Sequence, residues 1–223
     1  MGPPFHEYVL PVAIREGLLG EMRPVAAFVD TDGVRHTVRA LQAAFPAHFQ
    51  HAFAAKANPM SRALSLVREA GMVCEVASAG ELEQALRSGF DPAQIVFDQP
   101  TKSVSVLEQV LRTGIGLNID NFQEFERVRA IVDAVGSVSQ IGYRINPQVG
   151  SGAIPAMSTA TGSSKFGVAL EDPGNRQALL QNYRGYAWLT ALHCHVGSQG
   201  CSLELMTAGV KKVVALAEEI NEH

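Results

Sequence analysis

The stretch that decides the fold is VCEVASAGELEQALRSGFDPAQIVFD, residues 73–98. It opens on one short apolar run, 73–77, and closes on another, 95–98. Between them, Ser78-Ala79-Gly80-Glu81 has the form of a capping box, in which a hydroxyl accepts from the backbone three residues on and an acid reaches back. Leu82, Ala85 and Leu86 then share one helical face, and Gly89 supplies the stop. The segment reads strand, helix, strand. Both strands are continuous apolar runs, as strands covered on both faces are.

The same unit recurs on either side. Further strands are expected at 52–57, 116–120, 141–146 and 190–196. The first four strands start about 21 to 22 residues apart, and the next follows after about 25. Asn121-Phe122-Gln123-Glu124 begins another helix, with Phe125, Val128, Val132 and Val135 at helical spacing and Gly136 at its end. Gly71 and Gly114 close helices over 61–70 and 103–113. Regular units with no reversal signal predict an α/β fold. They favour a parallel barrel over an open doubly wound sheet.

Outside this series, residues 24–31 (PVAAFVDT) read as a strand, followed by a helix with Val34, Val38, Leu41 and Phe45 on one face. Residues 147–170 read as one long loop rich in Gly, Ser, Thr and Ala, placed after a strand's carboxyl end, where barrel enzymes build their sites. The last helix, 203–220, is amphipathic through Met206, Val210, Val213, Val214 and Ala217.

Composition narrows the function classes. The chain has 223 residues, 47% hydrophobic and 18% charged, enough apolar content for a sizeable core. A net charge of −4 gives no footprint for nucleic acid or an anionic membrane. No stretch has the roughly 20 apolar residues that span a bilayer, and residues 1–20 do not read as a secretory signal. Cys74, Cys194 and Cys201 are too few for a disulfide framework and match no zinc spacing. A reduced, cytoplasmic setting is the expectation.

The chemistry-bearing residues fall at strand ends. HAFAAKANP, 51–59, carries an apolar run straight into Lys56, although removing an ammonium from water is costly. Glu75 and Ser78 follow at the second strand, Asp98 and Asp120 at the third and fourth, Arg144 and Asn146 at the fifth, and His193, His195 and Ser198 at the sixth. In a barrel these ends converge on one mouth. Taken singly, each has a plainer reading: Lys56 as a snorkelling or salt-bridged residue, Arg144 as structural, and Asp98 and Asp120 as caps of the next helix. Cys74 and Cys194 read as small core residues. His193 and His195 are read as pointing to opposite faces of their strand, so that one at most reaches the lumen. His-x-His is a weak metal pair, and no metal is expected.

Seven stretches then match one family in order: AAKANP (54–59), EVASAGELEQAL (75–86), IVFDQPTKS (95–103), LNIDNFQEFERV (117–128), YRINP (143–147), SKFGV (164–168) and HCHVGSQ (193–199). The chain resembles the fold-type III pyridoxal-phosphate decarboxylases, whose catalytic domain is an alanine-racemase-like TIM barrel. SKFG and HCHVGSQ look most like the diaminopimelate decarboxylases. The resemblance implies pyridoxal 5'-phosphate held as a Schiff base on Lys56, whose amine is partly desolvated, His195 stacked on its ring, Ser198 on its phosphate, and Arg144 beneath it. Glu75 stands where the family commonly has Asp. A small amino acid is the implied substrate and a homodimer the implied assembly.

The resemblance also implies what is missing. The family barrel has eight strands, and about six βα units are expected here. The glycine-rich phosphate turn, the acid facing the pyridine nitrogen and a nearby arginine belong to the last two. A carboxy-terminal β domain follows them in the family. The expected organisation is an extension over 1–23 and a partial barrel over 24–223. This chain alone is expected to lack decarboxylase activity. The competing expectation is a non-catalytic pyridoxal-phosphate-binding module or a partner of a true decarboxylase.

Overall fold

The computed structural model describes residues 5–222, and divides the chain into two compact units, 1–50 and 51–223. The first holds two helices, α1 (Phe5–Arg15) and α2 (Thr31–Ala44). The strand expected over 24–31 is absent. That segment forms no ladder, Val25, Phe28 and Val29 are exposed, and Asp30 is instead the N-cap of α2. Its carboxylate accepts from the amides of Asp32 and Gly33. The capping aspartate, not the β-branched residues before it, decides the local structure.

The second unit alternates strands and helices: β1 (Ala52–Ala54), α3 (Ser61–Glu69), β2 (Val73–Val76), α4 (Ala79–Arg87), β3 (Ile95–Phe97), α5 (Val104–Thr113), β4 (Gly116–Ile119), α6 (Phe122–Val135), β5 (Ile141–Asn146), β6 (Val168–Ala169), α7 (Asn175–Gly185), β7 (Leu189–Cys194) and α8 (Leu203–Asn221). All strand pairs are parallel, in the order β1-β2-β3-β4-β5, with β7 on the far side of β5. Each long strand is added on the same side as the last. A doubly wound sheet would reverse, so the winding is that of a barrel. Among the described residues β1 and β7 do not pair, and each leaves an edge open.

The short β6 lies within the stretch expected to be loop. Ile145 pairs with Val168 and also with Cys194 of β7. A strand residue has two edges, so β6 takes the one that β4 occupies lower down β5. Two residues of pairing leave no periodic signal in the sequence.

Register sets what each face carries, because neighbours across a parallel pair share a face. Phe53, Cys74, Ile95, Phe97, Leu117, Ile119, Ile141, Tyr143 and Ile145 lie on the helix-covered face, and all but Phe53 are buried. Leu64, Leu82, Leu107, Val110, Phe125 and Val128 of the helices are buried with them. The opposite face carries Ala54, Glu75, Val96, Gly116, Asn118, Gly142, Arg144, Ala191 and His193. Gly142 is required there: a Cβ would stand 2.1 Å from the carbonyl oxygen of Ala191. Apolar burial thus lies on one side of the sheet, and polar groups gather on the other, toward the strands' carboxyl ends.

Candidate active site

The turns after the strands are built alike. Ser78 accepts from the Glu81 amide, and Glu81 Oε2 accepts from the amide of Ala77 at 2.9 Å. Asn121 accepts from the Glu124 amide, and Glu124 Oε2 accepts from the amide of Asp120 at 2.9 Å. In both, the returning acid caps the residue before the N-cap. Asp98 and Asp120 are therefore not the caps expected; Ser103 and Asn121 are. This releases both aspartates for the site. Asp120 Oδ1 accepts from the Gly167 amide at 3.1 Å and so ties β4 to the loop before β6.

Strand β1 ends at Ala54, and Lys56 sits on the 3-10 turn that follows. Its side chain is 51% exposed, so about half of it is covered. Lys56 Nζ lies 3.5 Å from Glu75 Oε2, at salt-bridge range but long for a hydrogen bond. Burial pushes the Glu75 carboxyl above its usual range, with Lys56 working against that. Glu75 Oε1 is buried without a hydrogen-bond partner.

A cavity of about 180 Å³ opens beside this pair, lined by Lys56, Ala77, Asp98, Pro100, Arg144, Thr159, Phe166 and His195. Lys56, Arg144 and His195 are thus brought together. Arg144 is buried; its Nη1 donates to Asp98 Oδ2 at 3.0 Å, and its guanidinium carbon lies 5.0 Å from the Phe166 ring centre. Burial first, and then the cations Lys56 and Arg144, hold the His195 imidazole below its ordinary pKa. Ser198 does not join this lining. It is exposed, and its amide donates to the Met157 carbonyl at 3.1 Å.

The opposite-face expectation for the two histidines fails. Two residues apart is one full strand period, so His193 and His195 share a face. His193 sits deeper, its Nδ1 3.4 Å from Asp98 Oδ1, and burial pushes its pKa down to about 4. Asp98, read from sequence as a strand-end acid or a cap, lines the cavity, and Thr159 and Phe166 line it with no role given them by sequence reasoning. Phe166 lay inside the quoted SKFGV match. Thr159 had no signal, and it is positioned by its amide bonding to Val196 O and its hydroxyl donating to the His195 carbonyl.

Parallel strands wound one way, with a lysine, an acid, an arginine and a histidine at their carboxyl ends, define a barrel-type enzyme site. The chain belongs to the pyridoxal-dependent decarboxylases: the model of their pyridoxal binding domain matches residues 31–223. The diaminopimelate decarboxylase of Helicobacter pylori strain J99 is 32% identical over 169 residues, 75% of this chain and 42% of that protein. That of Bacteroides thetaiotaomicron is 29% identical, over 87% of this chain and 49% of that one. The crystal structure of the Helicobacter pylori enzyme complexed with L-lysine superposes with a TM-score of 0.78 at 27% identity, covering 93% of this chain and 53% of that chain. A lysine/ornithine decarboxylase from Vibrio vulnificus shares the fold, with a TM-score of 0.71 at 19% identity. The chain spans about half the length of the relatives it matches.

The residues present fit pyridoxal phosphate. An accessible amine and an imidazole held below its ordinary pKa line one cavity, and the Glu75 carboxylate, with one oxygen orphaned, lies beside the amine. Among the described residues, no helix is long and apolar enough to cross a membrane.

Proposed function

We propose that this chain is the cofactor-holding part of a pyridoxal-phosphate-dependent amino-acid decarboxylase of the diaminopimelate type. The observation that carries the reading is the convergence of Lys56, Arg144 and His195 on one cavity, with Glu75 beside the lysine. Lys56 would hold the aldehyde end of the cofactor through its amine. His195 would lie against the ring, Arg144 would form the wall beneath it, and Ser198 would reach the phosphate. Glu75 would keep the Lys56 amine oriented into the cavity. Bound there, pyridoxal phosphate supplies an electron sink for loss of a carboxyl group from an amino acid. Three free cysteines suit a reducing cytoplasm, and a homodimer is the proposed assembly.

We further propose an extension over 1–23 and a partial barrel over 24–223. The second reading is a binding module or decarboxylase partner without activity of its own. Titrating the 223-residue chain with pyridoxal phosphate and following its visible absorption separates the cases. Uptake that Lys56→Ala abolishes supports the cofactor site, and uptake unchanged by that substitution contradicts it. Carbon dioxide release from diaminopimelate, ornithine or arginine by the same chain would refute the proposal that it is inactive alone.

A further inference from the structure

Asp98 has no part in the roles given above, yet it is the most connected side chain of the cavity. It is buried, and each of its oxygens faces a nitrogen-bearing side chain. Oδ2 accepts from Arg144 Nη1 at 3.0 Å, and Oδ1 faces His193 Nδ1 at 3.4 Å. Asp98 Oδ1 and His193 Nδ1 are both buried and neither makes a hydrogen bond, so their 3.4 Å approach is an ion-pair-range contact. We propose that Asp98 is a positioning residue, which holds the Arg144 guanidinium against Phe166 and selects the Nδ1–H tautomer of His193.

The argument is one of satisfiability. An ionised carboxylate only accepts, and a neutral imidazole has one donor nitrogen and one acceptor. With the proton on Nε2, two lone pairs would face each other in a buried site and neither would be satisfied. With it on Nδ1, a donor faces an acceptor, the one arrangement a hydrogen bond can complete, and Nε2 is left as an acceptor. Imidazolium would also donate from Nδ1, but burial keeps His193 neutral near pH 7. The same carboxylate neutralises Arg144 and fixes its plane. Arg144 in turn shapes the loop: a Cβ on Gly167 would stand 2.8 Å from the Arg144 carbonyl oxygen and 3.1 Å from Arg144 Cγ. Phe166 and Gly167 are therefore seated on Arg144, and Asp98 holds Arg144 still. The tautomer does not depend on the cofactor; its consequence for the cofactor rests on the function proposed above.

The test uses the 223-residue chain labelled with ¹⁵N-histidine, with His193 assigned by loss of its signals in His193→Asn. Long-range ¹H–¹⁵N correlation near pH 7 reads the tautomer directly. The wild type is expected as Nδ1–H. In Asp98→Asn the amide oxygen is needed by Arg144, so the NH₂ must face His193, and the tautomer is expected to switch to Nε2–H. Pyridoxal-phosphate affinity should fall about tenfold with it, the order expected when a charge-assisted hydrogen bond is weakened. A wild-type Nε2–H tautomer overturns the proposal with no variant needed, so it stays open to refutation if Asp98→Asn does not fold. A folded Asp98→Asn with tautomer and affinity both unchanged also overturns it. If the tautomer switches while neither protein takes up pyridoxal phosphate, the cofactor reading falls and the selection of the tautomer by Asp98 is supported.

Discussion

Two lysine–glutamate pairs lie on neighbouring turns of the same sheet, and they are held very differently. Lys102 and Glu124 are fully buried and 2.7 Å apart, and although Glu124 Oε1 has no hydrogen-bond partner, its Oε2 and the Lys102 ammonium each make two hydrogen bonds. Lys102 Nζ also donates to the Asn118 carbonyl at 2.8 Å, and the same Glu124 oxygen also accepts from the Asp120 amide. Lys56 and Glu75 are 3.5 Å apart, with the lysine half in solvent; each pair has one glutamate oxygen unpartnered, so distance and burial are what separate them. The first pair is closed, and its lysine can do nothing but hold β4 to α6. The second is loose, and its amine is available. The two pairs share residue types and differ in burial and in how firmly the lysine is held.

Substitutions should separate the pairs in proportion to that closure. Lys102→Ala or Glu124→Ala strands a buried charge and should cost about 3–5 kcal/mol in urea unfolding. A loss below about 1 kcal/mol would make the pair no more structural than a surface one. Next comes His193, whose pKa is lowered from 6.5 to about 4 by burial. Its contribution is fully present above pH 6.5 and is lost as pH falls toward 4, because the unfolded chain takes up the proton first. The slope is at most about 1.4 kcal/mol per pH unit. Measured against wild type, His193→Asn should flatten the stability profile across that window; parallel profiles would show that His193 is not held neutral.

Gly167→Ala should cost about 1–3 kcal/mol, because Gly167 has φ +73° and no room for a Cβ beside Arg144. A neutral outcome would mean that the loop is not seated on the arginine. The smallest effect belongs to the loose pair. Lys56→Ala should change stability by no more than about 0.5 kcal/mol. A loss of several kcal/mol there would make Lys56 a structural residue and erase the contrast with Lys102.

The winding of the barrel was legible because each unit carries its own punctuation, a capping residue at the start of the helix and glycine at its end. Gly71, Gly89, Gly114 and Gly136 all have positive φ, as their stop positions require. The convergence of Lys56, Arg144 and His195 was legible because strand ends in a barrel must meet. What escaped depended on pairing in space. Residues 24–31 have strand-like composition but no neighbouring strand, and Asp30 turns them into a helix start. Strand β6 is too short to show a period. Asp98 was legible as a strand-end acid, but its partner Arg144 lies 46 residues on, and only the fold brings the two together. The histidine pair was misread through the strand period itself.

The most direct test of the central claim is a lysine map. The 223-residue chain is loaded with pyridoxal phosphate, reduced with borohydride, digested and sequenced by mass spectrometry. Its five lysines are Lys56, Lys102, Lys165, Lys211 and Lys212. Lys165 and Lys211 are exposed like Lys56, so accessibility alone would spread the label among them. The account predicts a phosphopyridoxyl group on Lys56 at one per chain and none on Lys102. Label shared among the exposed lysines, or concentrated on any lysine other than Lys56, would contradict it.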